Sequence, residues 1–166
     1  MAQTELMNPT GEDEQEDTLK GKYLIFSMGS EQYGMEIRYI TEIIGIQPIT
    51  AIPDIPDYMK GITNLRGKII PVMDARLRLS KEERTYDDRT CIIVLDNGGT
   101  STGLVVDSVS EVMTFKAEDI APPPEMGRER QTYIQGIGKA DGGVKLLLDG
   151  WRLMAGERLE ALSAMA

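Results

Sequence analysis

Histidine is absent from the 166 residues of this chain, and cysteine occurs only once. Without histidine, a Ser-His-Asp or Cys-His catalytic arrangement and a histidine-ligated metal site are excluded. The single cysteine forms no internal disulfide. Cys91 lies in the apolar run CIIVL, which predicts a buried structural thiol in a protein of a reducing compartment. Carboxylates remain as candidate catalytic groups, but no acidic pair stands in an apolar setting.

Long apolar runs and basic clusters are also missing. No run approaches the roughly 18 apolar residues that cross a bilayer, and the N-terminal residues lack the apolar core of a signal peptide. The formal net charge is −9, so a basic face for nucleic acid is not expected. These absences predict a cytoplasmic protein without membrane insertion, whose partners are other proteins or cations.

Polar ends flank one region of globular composition. Residues 1–21 contain the acidic run GEDEQED and are predicted to be a disordered tail, because such a segment buries too little apolar area to order itself. Residues 22–160 are predicted to form a single domain, and residues 161–166 a flexible end. Apolar residues make up 41% of the chain, which is enough for a core.

Short β-like runs separated by turns fill most of this domain, beginning with KYLIFSM at 22–28. In RYITEII (38–44) the isoleucines lie at helical spacing and predict a short helix or a helical turn. Three prolines in PITAIPDIP (48–56) predict an extended, edge-like segment. One helical turn is expected in ARLRL (75–79). The C-terminal residues predict an amphipathic helix through four apolar positions: Trp151, Met154, Leu159 and Leu162.

The chain contains an internal repeat. YMKGIT from residue 58 matches YIQGIG from residue 133, and GMEIRYITEII from 34 matches GLVVDSVSEVM from 103. Four identical pairs share an offset of 75 residues: Tyr58 and Tyr133, Gly61 and Gly136, Ile62 and Ile137, Asp74 and Asp149. Two further pairs share an offset of 69: Gly34 and Gly103, Glu42 and Glu111. Chance similarity is the alternative explanation.

The repeat predicts two copies of one unit, about 22–84 and about 89–156, with exchanged strands as a possible arrangement. Many short strands at regular spacing are typical of small closed barrels, which leave no exposed sheet edges. The fold class is therefore predicted to be mainly β, with short helices and a C-terminal helix.

One turn distinguishes the copies. In GITNLRGKIIPVMD (61–74), Gly67 supplies the backbone freedom that a tight turn needs, and Arg66 is not required for it. Arg66 aligns with Asp141, so the second copy is expected to make the same turn without a basic residue. Only the first copy thus offers Glu42 an arginine partner, which suggests a Glu42–Arg66 ion pair. The alternative for Arg66 is a solvated turn residue.

Four stretches closely resemble the CheW-like domain of chemotaxis coupling proteins: QYGMEI, ITEI, IPDIPDYMKGITNLRGKIIPVMDARLRL and LVVDSVSEVM. The resemblance covers about residues 22–160, and NLRG followed by I-P-V-x-D is its most specific part. It implies two small five-stranded SH3-like barrels around a shared core. The same domain also ends the histidine kinase CheA, after further regions for which this chain has no room.

The resemblance also implies a function, which is a non-catalytic adaptor that couples the cytoplasmic tip of transmembrane chemoreceptors to CheA and supports array assembly. No catalytic residue, metal or cofactor is expected, and the protein would be recruited to membrane receptor arrays. The implied receptor-binding residues are Ile40, Glu42, Arg66, Val109 and Val112. The implied kinase-binding residues are Ile49, Ile52, Pro53 and Ile55. Plain core packing is the alternative for Ile40, Val109 and Val112.

Two other functions remain open at this point. One is an adaptor of the same fold in a non-flagellar signalling array. The other is a small ligand-binding protein that works through carboxylates such as Asp74 and Asp149, although their recurrence at equivalent strand ends favours a capping role.

Overall fold

The structure is a computed structural model that describes residues 19–123 and 133–154. Its strands are β1 (Lys22–Met28), β2 (Glu31–Glu36), β3 (Ile40–Gly45), β4 (Met59–Leu65), β5 (Lys68–Asp74), β6 (Cys91–Asn97), β7 (Thr100–Val106), β8 (Ser108–Thr114), β9 (Ile120–Ala121), β10 (Ile134–Ala140) and β11 (Gly143–Leu148). Its α-helices are α1 (Ala75–Arg78) and α2 (Gly150–Met154), and 3₁₀ turns cover Ile37–Tyr39 and Ala117–Asp119. No helix in the described part of the chain has the length and hydropathy of a membrane span.

Several predicted segments lie partly or wholly outside the described residues. They are most of the acidic tail (residues 1–18), the flexible end (161–166) and the positions Leu159 and Leu162 of the C-terminal helix. The first strand begins at Lys22, as predicted, and the helical turn in ARLRL is confirmed as α1.

The strands form two sheets, which confirms the mainly β prediction. The first has the order β8-β1-β2-β11-β10-β9, and the second has the order β3-β6-β7-β5-β4. The order β3-β6-β7-β5-β4 of the second sheet corresponds strand by strand to β8-β1-β2-β11-β10 of the first. The two-residue strand β9 extends the first sheet at one edge.

The sheets are built from both repeats. The hairpin β1–β2 belongs to the first repeat, but its outer neighbours are β8 and β11 of the second. In the same way, β6–β7 lies between β3 and β5 of the first repeat. The chain changes sheets at Asp107, the one residue between β7 and β8. Each sheet therefore contains strands from both repeats.

The repeated glycines Gly34 and Gly103 lie at the two parallel junctions, and each packs closely against a side chain of a neighbouring strand. Gly34 lies opposite Leu147 where β2 meets β11, and Gly103 lies opposite Val72 where β7 meets β5. A Cβ on Gly34 would stand 2.8 Å from a methyl carbon of Leu147, and one on Gly103 would stand 2.9 Å from a methyl carbon of Ile92. Only a residue without a side chain fits such a close approach.

The prediction of a short helix or helical turn in RYITEII is wrong for most of the segment. Its start falls in the 3₁₀ turn Ile37–Tyr39, and its remainder forms strand β3, paired with β6. Isoleucine and threonine favour an extended backbone, and pairing with a buried strand outweighs the weak helical spacing.

Equivalent β-bulges interrupt β3 and β8. Thr41 is the extra residue in β3 and Ser110 the extra residue in β8. Thr41 Oγ1 donates a hydrogen bond to the Val94 carbonyl at 3.2 Å, and Ser110 Oγ donates to the Ile25 carbonyl at 3.3 Å. A bulge bends its strand and increases the local twist, so both sheets curve at corresponding places.

Three apolar clusters hold the described part of the chain together. The largest lies between the two sheets and includes Phe26, Met35, Met73, Leu95 and Leu148. A second lies on the other face of the five-stranded sheet and is formed by Ile70, Val72, Ile92, Val94 and Val105. The third lies on the other face of the six-stranded sheet and is formed by Tyr23, Ile25, Phe115 and Leu147. Cys91 is only half-buried at the start of β6, not fully buried as predicted, because it stands at the strand end.

Asp74 and Asp149 have the capping role that their recurrence favours. Oδ1 of Asp74 accepts hydrogen bonds from the amides of Arg76 and Leu77, and Oδ1 of Asp149 accepts from the amides of Trp151 and Arg152. Both residues therefore begin a short helix after a strand.

Arg78 joins the two repeats at their centre. Its guanidinium carbon lies 4.4 Å from the ring centroid of Tyr58 and 4.8 Å from that of Tyr133, the repeated tyrosines. Its Nε also donates a hydrogen bond to the Leu153 carbonyl at 3.0 Å. A cation between two aromatic faces is favourable, so this contact stabilises the junction.

Candidate protein-binding site

The strands β3 and β8 carry most of the predicted receptor-binding residues. Among the described residues, each is the outermost strand of its sheet and is paired on one side only. Ile40 on β3 and Val109 on β8 occupy equivalent positions beside the bulges, and both are half-buried against the cluster between the sheets. These two residues therefore pack against the core and keep part of their surface open.

Two apolar side chains on the same strands are largely exposed. Val112 on β8 is 52% exposed, and Ile43 on β3, its equivalent in the repeat, is 42% exposed. Their cross-strand partners Leu24 and Ile93 face the cluster between the sheets. Because paired residues share a face of the sheet, Val112 and Ile43 lie on the same side as Val109 and Ile40. Ile43 was not among the binding residues predicted from the sequence, although its alignment with Val112 could have identified it.

Arg66 stands in the turn between β4 and β5, and the expected ion pair with Glu42 is confirmed. Arg66 Nη2 donates to Glu42 Oε2. The Arg66 side chain is 68% exposed, and the hydrogen bond and charge of Glu42 raise the pKa of the guanidinium. Glu42 pairs across the strands with Val94, so the ion pair lies on the opposite face of β3 from Ile40.

The two turns of the repeat are not the same, contrary to the expectation. Arg66 has a positive φ of 53°, followed by Gly67 with 88°, whereas in the second copy only the glycines Gly142 and Gly143 have positive φ. A left-handed backbone is unfavourable for a residue with a Cβ. The turn alone would favour glycine or asparagine at position 66, so its backbone gives no reason for an arginine.

The predicted kinase-binding isoleucines pack against two different apolar clusters. Ile49 packs against the cluster of the five-stranded sheet, whereas Ile52 and Ile55 pack against the cluster between the sheets. All three are half-buried, and Pro53 is exposed. As its prolines predict, this segment forms no helix or regular strand. Thr50 makes an isolated bridge to Ile62 of β4, and the chain bends at Asp54, which has a positive φ of 60°.

A surface depression of about 250 Å³ lies beside this segment and is lined by Pro48, Thr50, Ile62, Thr63, Asn64 and Ile69. Two backbone hydrogen bonds between Thr50 and Ile62, at 2.8 and 2.9 Å, form one wall. Gly61 allows this approach, since a Cβ there would stand 1.9 Å from the Thr50 carbonyl oxygen. The depression has a largely apolar lining.

The structure brings the predicted residues into three places rather than one. Ile40, Val109 and Val112 share the side of the edge strands that faces the space between the sheets, and the Glu42–Arg66 pair lies on the other face of β3. The proline-rich segment flanks β4 at the far edge of the second sheet. The contacts of all these residues with a partner stay predictions.

A charged cluster that the sequence did not predict surrounds Asp107. Arg76 donates two hydrogen bonds to its carboxylate, at 2.8 and 2.7 Å, and Arg84 donates a third at 2.9 Å. The Gly29 amide donates a fourth at 2.8 Å. Burial would raise the pKa of Asp107, but the hydrogen bonds from Arg76, Gly29 and Arg84 outweigh it and lower the pKa to about 2. The cluster fixes the point where the chain changes sheets.

The carboxylates considered for ligand chemistry are engaged within the chain. Asp74 is buried, with Oδ1 used for the helix cap and Oδ2 accepting from the Tyr86 hydroxyl at 2.7 Å. Burial and this hydrogen bond raise the pKa of Tyr86. Among the described residues no group of acidic or cysteine side chains could hold a metal ion.

Comparisons with known proteins agree with this geometry. The model of the CheW-like domain family matches residues 22–158. The chain is 37% identical to the chemotaxis protein CheW of Klebsiella aerogenes over 151 residues, which cover 90% of this chain and 91% of the relative. It is 29% identical to the protein FrzA of Myxococcus xanthus, covering 73% of this chain and 76% of the relative. The crystal structure of the scaffolding protein TtCheW from Thermoanaerobacter tengcongensis aligns with a TM-score of 0.76 and 34% identity, covering 82% of this chain and 94% of that one.

Proposed function

This chain belongs to the CheW-like domain family, and we propose that it is a non-catalytic chemotaxis adaptor. It couples the cytoplasmic tip of transmembrane chemoreceptors to the histidine kinase CheA and supports assembly of the signalling array. It acts on the cytoplasmic side, recruited to the membrane through the receptors. The similarity to CheW proteins along nearly all of the described residues supports this function.

The exposure and backbone conformation of Arg66 are the main support for the proposed receptor-binding surface. An exposed arginine in an unfavourable left-handed conformation, held on one carboxylate, has no evident use for the fold. Strained residues of this kind concentrate at functional sites. A guanidinium presents a planar set of donors, which suits carboxylates and the free carbonyls at a helix end.

The apolar part of the receptor-binding surface consists of Ile40, Val109 and Val112. A receptor tip is a helical hairpin, and apolar positions on a helix bind by packing into apolar grooves. The exposure of Val112 and the partial exposure of Ile40 and Val109 support this assignment. We assign Ile43 to the same surface, because it is the exposed equivalent of Val112.

The kinase-binding part is proposed for the segment with Ile49, Ile52, Pro53 and Ile55. Its support is the apolar depression between this segment and β4, with Ile69 exposed at its border. An apolar side chain of a partner could be buried there without displacing any strand.

A second candidate is the same adaptor function in a non-flagellar array. The similarity to FrzA supports this second candidate, because that relative is not named as a chemotaxis CheW protein and yet matches 73% of this chain. Deleting the gene and scoring swimming against surface motility separates the two.

Binding measurements test the adaptor function directly. The purified protein is titrated against a chemoreceptor cytoplasmic fragment and, separately, against CheA, and we expect saturable binding to both at micromolar concentrations. If neither partner is retained at tens of micromolar, the adaptor function is wrong.

Substitutions of Arg66 test the site. Arg66→Ala and Arg66→Gly both remove the guanidinium, so we expect both to weaken receptor binding. Arg66→Gly also removes the unfavourable left-handed backbone of a residue with a Cβ, so its Tm should equal or exceed that of Arg66→Ala. A large fall in Tm for either variant, measured by calorimetry, would show that Arg66 is structural. Unchanged receptor affinity in both would remove it from the binding site.

A further inference from the structure

The apolar part of the proposed receptor-binding surface is divided between the two sheets. Ile40 and Ile43 lie on β3 at the edge of the five-stranded sheet, whereas Val109 and Val112 lie on β8 at the edge of the six-stranded sheet. A receptor segment that contacts residues of both strands needs the two strands at a fixed distance and angle. The position of one sheet relative to the other therefore matters for binding as well as for the fold.

The strand β8 is held by few contacts along its length. Among the described residues it pairs with β1 alone, and the bulge at Ser110 interrupts that pairing. Four of its seven residues are exposed, so packing against the core restrains only part of it. At its start one residue, Asp107, separates it from β7 of the other sheet. The placement of β8 relative to the five-stranded sheet therefore depends on how Asp107 is held.

Asp107 is held by groups from both sheets. Its two carboxylate oxygens accept hydrogen bonds from Nε and Nη2 of Arg76, in α1 directly after β5 of the five-stranded sheet. One of them also accepts from the amide of Gly29, in the β1–β2 turn of the six-stranded sheet. The backbone of Arg76 is itself fixed, because Asp74 accepts a hydrogen bond from its amide at 2.9 Å. Apolar packing is non-directional, whereas a bidentate arginine–carboxylate pair fixes orientation as well as distance.

The other crossing between the sheets is made differently. In the first repeat the chain passes from β2 to β3, and Arg38 aligns with Asp107 at the offset of 69 residues. The Arg38 side chain is 54% exposed and pairs with Glu36, two residues earlier in the same segment. Trp151, which is largely exposed, aligns with Arg76 at the offset of 75 residues. The fold can thus change sheets with an exposed arginine at this position, so the crossing alone does not explain the carboxylate at Asp107.

We propose that Asp107 and Arg76 are positioning residues for receptor binding. Their bidentate pair holds β8 in the orientation in which Val109 and Val112 complete the surface that begins with Ile40 on β3. Neither residue of the pair contacts the receptor. This inference rests on the proposed function, and it extends the binding machinery to two residues outside the contact surface.

Loss of the pair should weaken receptor binding and leave CheA binding unchanged. Without the bidentate pair the start of β8 can shift, so the receptor must restore its orientation at the expense of affinity. Residues that act on a binding site without touching the ligand change affinity by roughly threefold to thirtyfold, and we expect a loss in this range. The proposed kinase-binding segment flanks β4 at the far edge of the five-stranded sheet, so the affinity for CheA should equal that of the wild type.

The test titrates a chemoreceptor cytoplasmic fragment and, separately, CheA with the wild-type chain, Asp107→Asn, Arg76→Gln and the double variant. The temperature is one at which circular dichroism shows each protein to be folded. Because both residues act through one pair, the double variant should bind the receptor about as weakly as the weaker single variant does. The matched control is Leu147→Val, which lowers stability by removing apolar atoms from the cluster on the other face of the six-stranded sheet. It should bind the receptor as wild type does.

A milder variant decides the test if Asp107→Asn does not fold. Arg76→Lys keeps the positive charge but cannot form the bidentate pair, so it should weaken receptor binding less than Arg76→Gln does. Wild-type receptor affinity in folded Asp107→Asn, or in Arg76→Lys where Asp107→Asn does not fold, overturns the inference and leaves the adaptor function intact. An equal loss of receptor and CheA affinity, or an equal loss of receptor affinity in Leu147→Val, also overturns it, since either would show a general effect of lower stability. Absence of wild-type binding to the receptor overturns both the function and the inference.

Discussion

Replacing Asp107 by asparagine should cost stability in a way that depends on pH. The carboxylate accepts four hydrogen bonds, three of them from Arg76 and Arg84, and its side chain is only 11% exposed. These contacts lower its pKa from the usual 3.8 to about 2. The difference between the two values corresponds to about 2 kcal/mol of stability at neutral pH.

The sign follows from the direction of the pKa change. Because the folded protein binds the proton of Asp107 less tightly than the unfolded chain does, the contribution is complete above about pH 5. It is lost as the pH falls through the unfolded and then the folded pKa, and near pH 3 about half of it remains. Asparagine cannot supply a charge at any pH, so the difference between wild type and Asp107→Asn should shrink on acidification.

Urea unfolding followed by far-ultraviolet circular dichroism measures this difference. We expect about 2 kcal/mol near pH 7 and about 1 kcal/mol near pH 3. Asp88→Asn, an exposed loop substitution, serves as the control and should change the unfolding free energy by less than about 0.5 kcal/mol. A difference between wild type and Asp107→Asn that stays constant from pH 7 to pH 3 would refute the reasoning, since it would show that the charge of Asp107 is not the source.

Two further substitutions test the packing. Gly61→Ala would place a Cβ 1.9 Å from the Thr50 carbonyl oxygen at a residue with φ of 140°, so we expect a loss of more than about 2 kcal/mol in urea unfolding. Gly45→Ala, with open space around its Cβ, should change little, and equal effects of the two would contradict the close approach. Lys145→Ile replaces a buried lysine, bonded to the neutral Gln32, by the residue type found at the equivalent buried position Ile70. It should raise the unfolding free energy by about 1 kcal/mol, because a buried charge is costly; a lower urea midpoint would show that the Lys145–Gln32 bond is net stabilising.

The repeat was the part of the fold that the sequence predicted best. Gly34 with Gly103 and Asp74 with Asp149 match in sequence because each pair meets the same local demand, a close strand approach or a helix cap. Such demands concern a few neighbouring atoms, so they restrict the residue type directly. The Glu42–Arg66 pair could be predicted because only the first copy has an arginine at that turn. The structure confirms this ion pair.

What could not be predicted from the sequence depends on contacts between segments that are distant in the chain. Nothing in GLVVDSVSEVMTF indicates that the chain leaves one sheet at Asp107 and enters the other, because both halves have the same β-branched composition. The helix expected in RYITEII failed for the same reason, since its pairing with β6 lies about 50 residues away in the chain. The residues of β8 and β3 could thus be proposed for binding from the sequence, but not the face of the sheet on which each lies.

The exchange of hairpins between the repeats has a consequence for synthesis on the ribosome. Strands β1 and β2 emerge first, yet β2 completes its sheet only by pairing with β11, whose paired residues are Leu146, Leu147 and Leu148. The second sheet, in contrast, has all five strands once Val106 has emerged. The nascent chain can therefore assemble the sheet with Arg66 and Glu42 well before the sheet with Glu111 and Asp141. Until β11 emerges, the edge of β2 that later pairs with β11 has no partner strand.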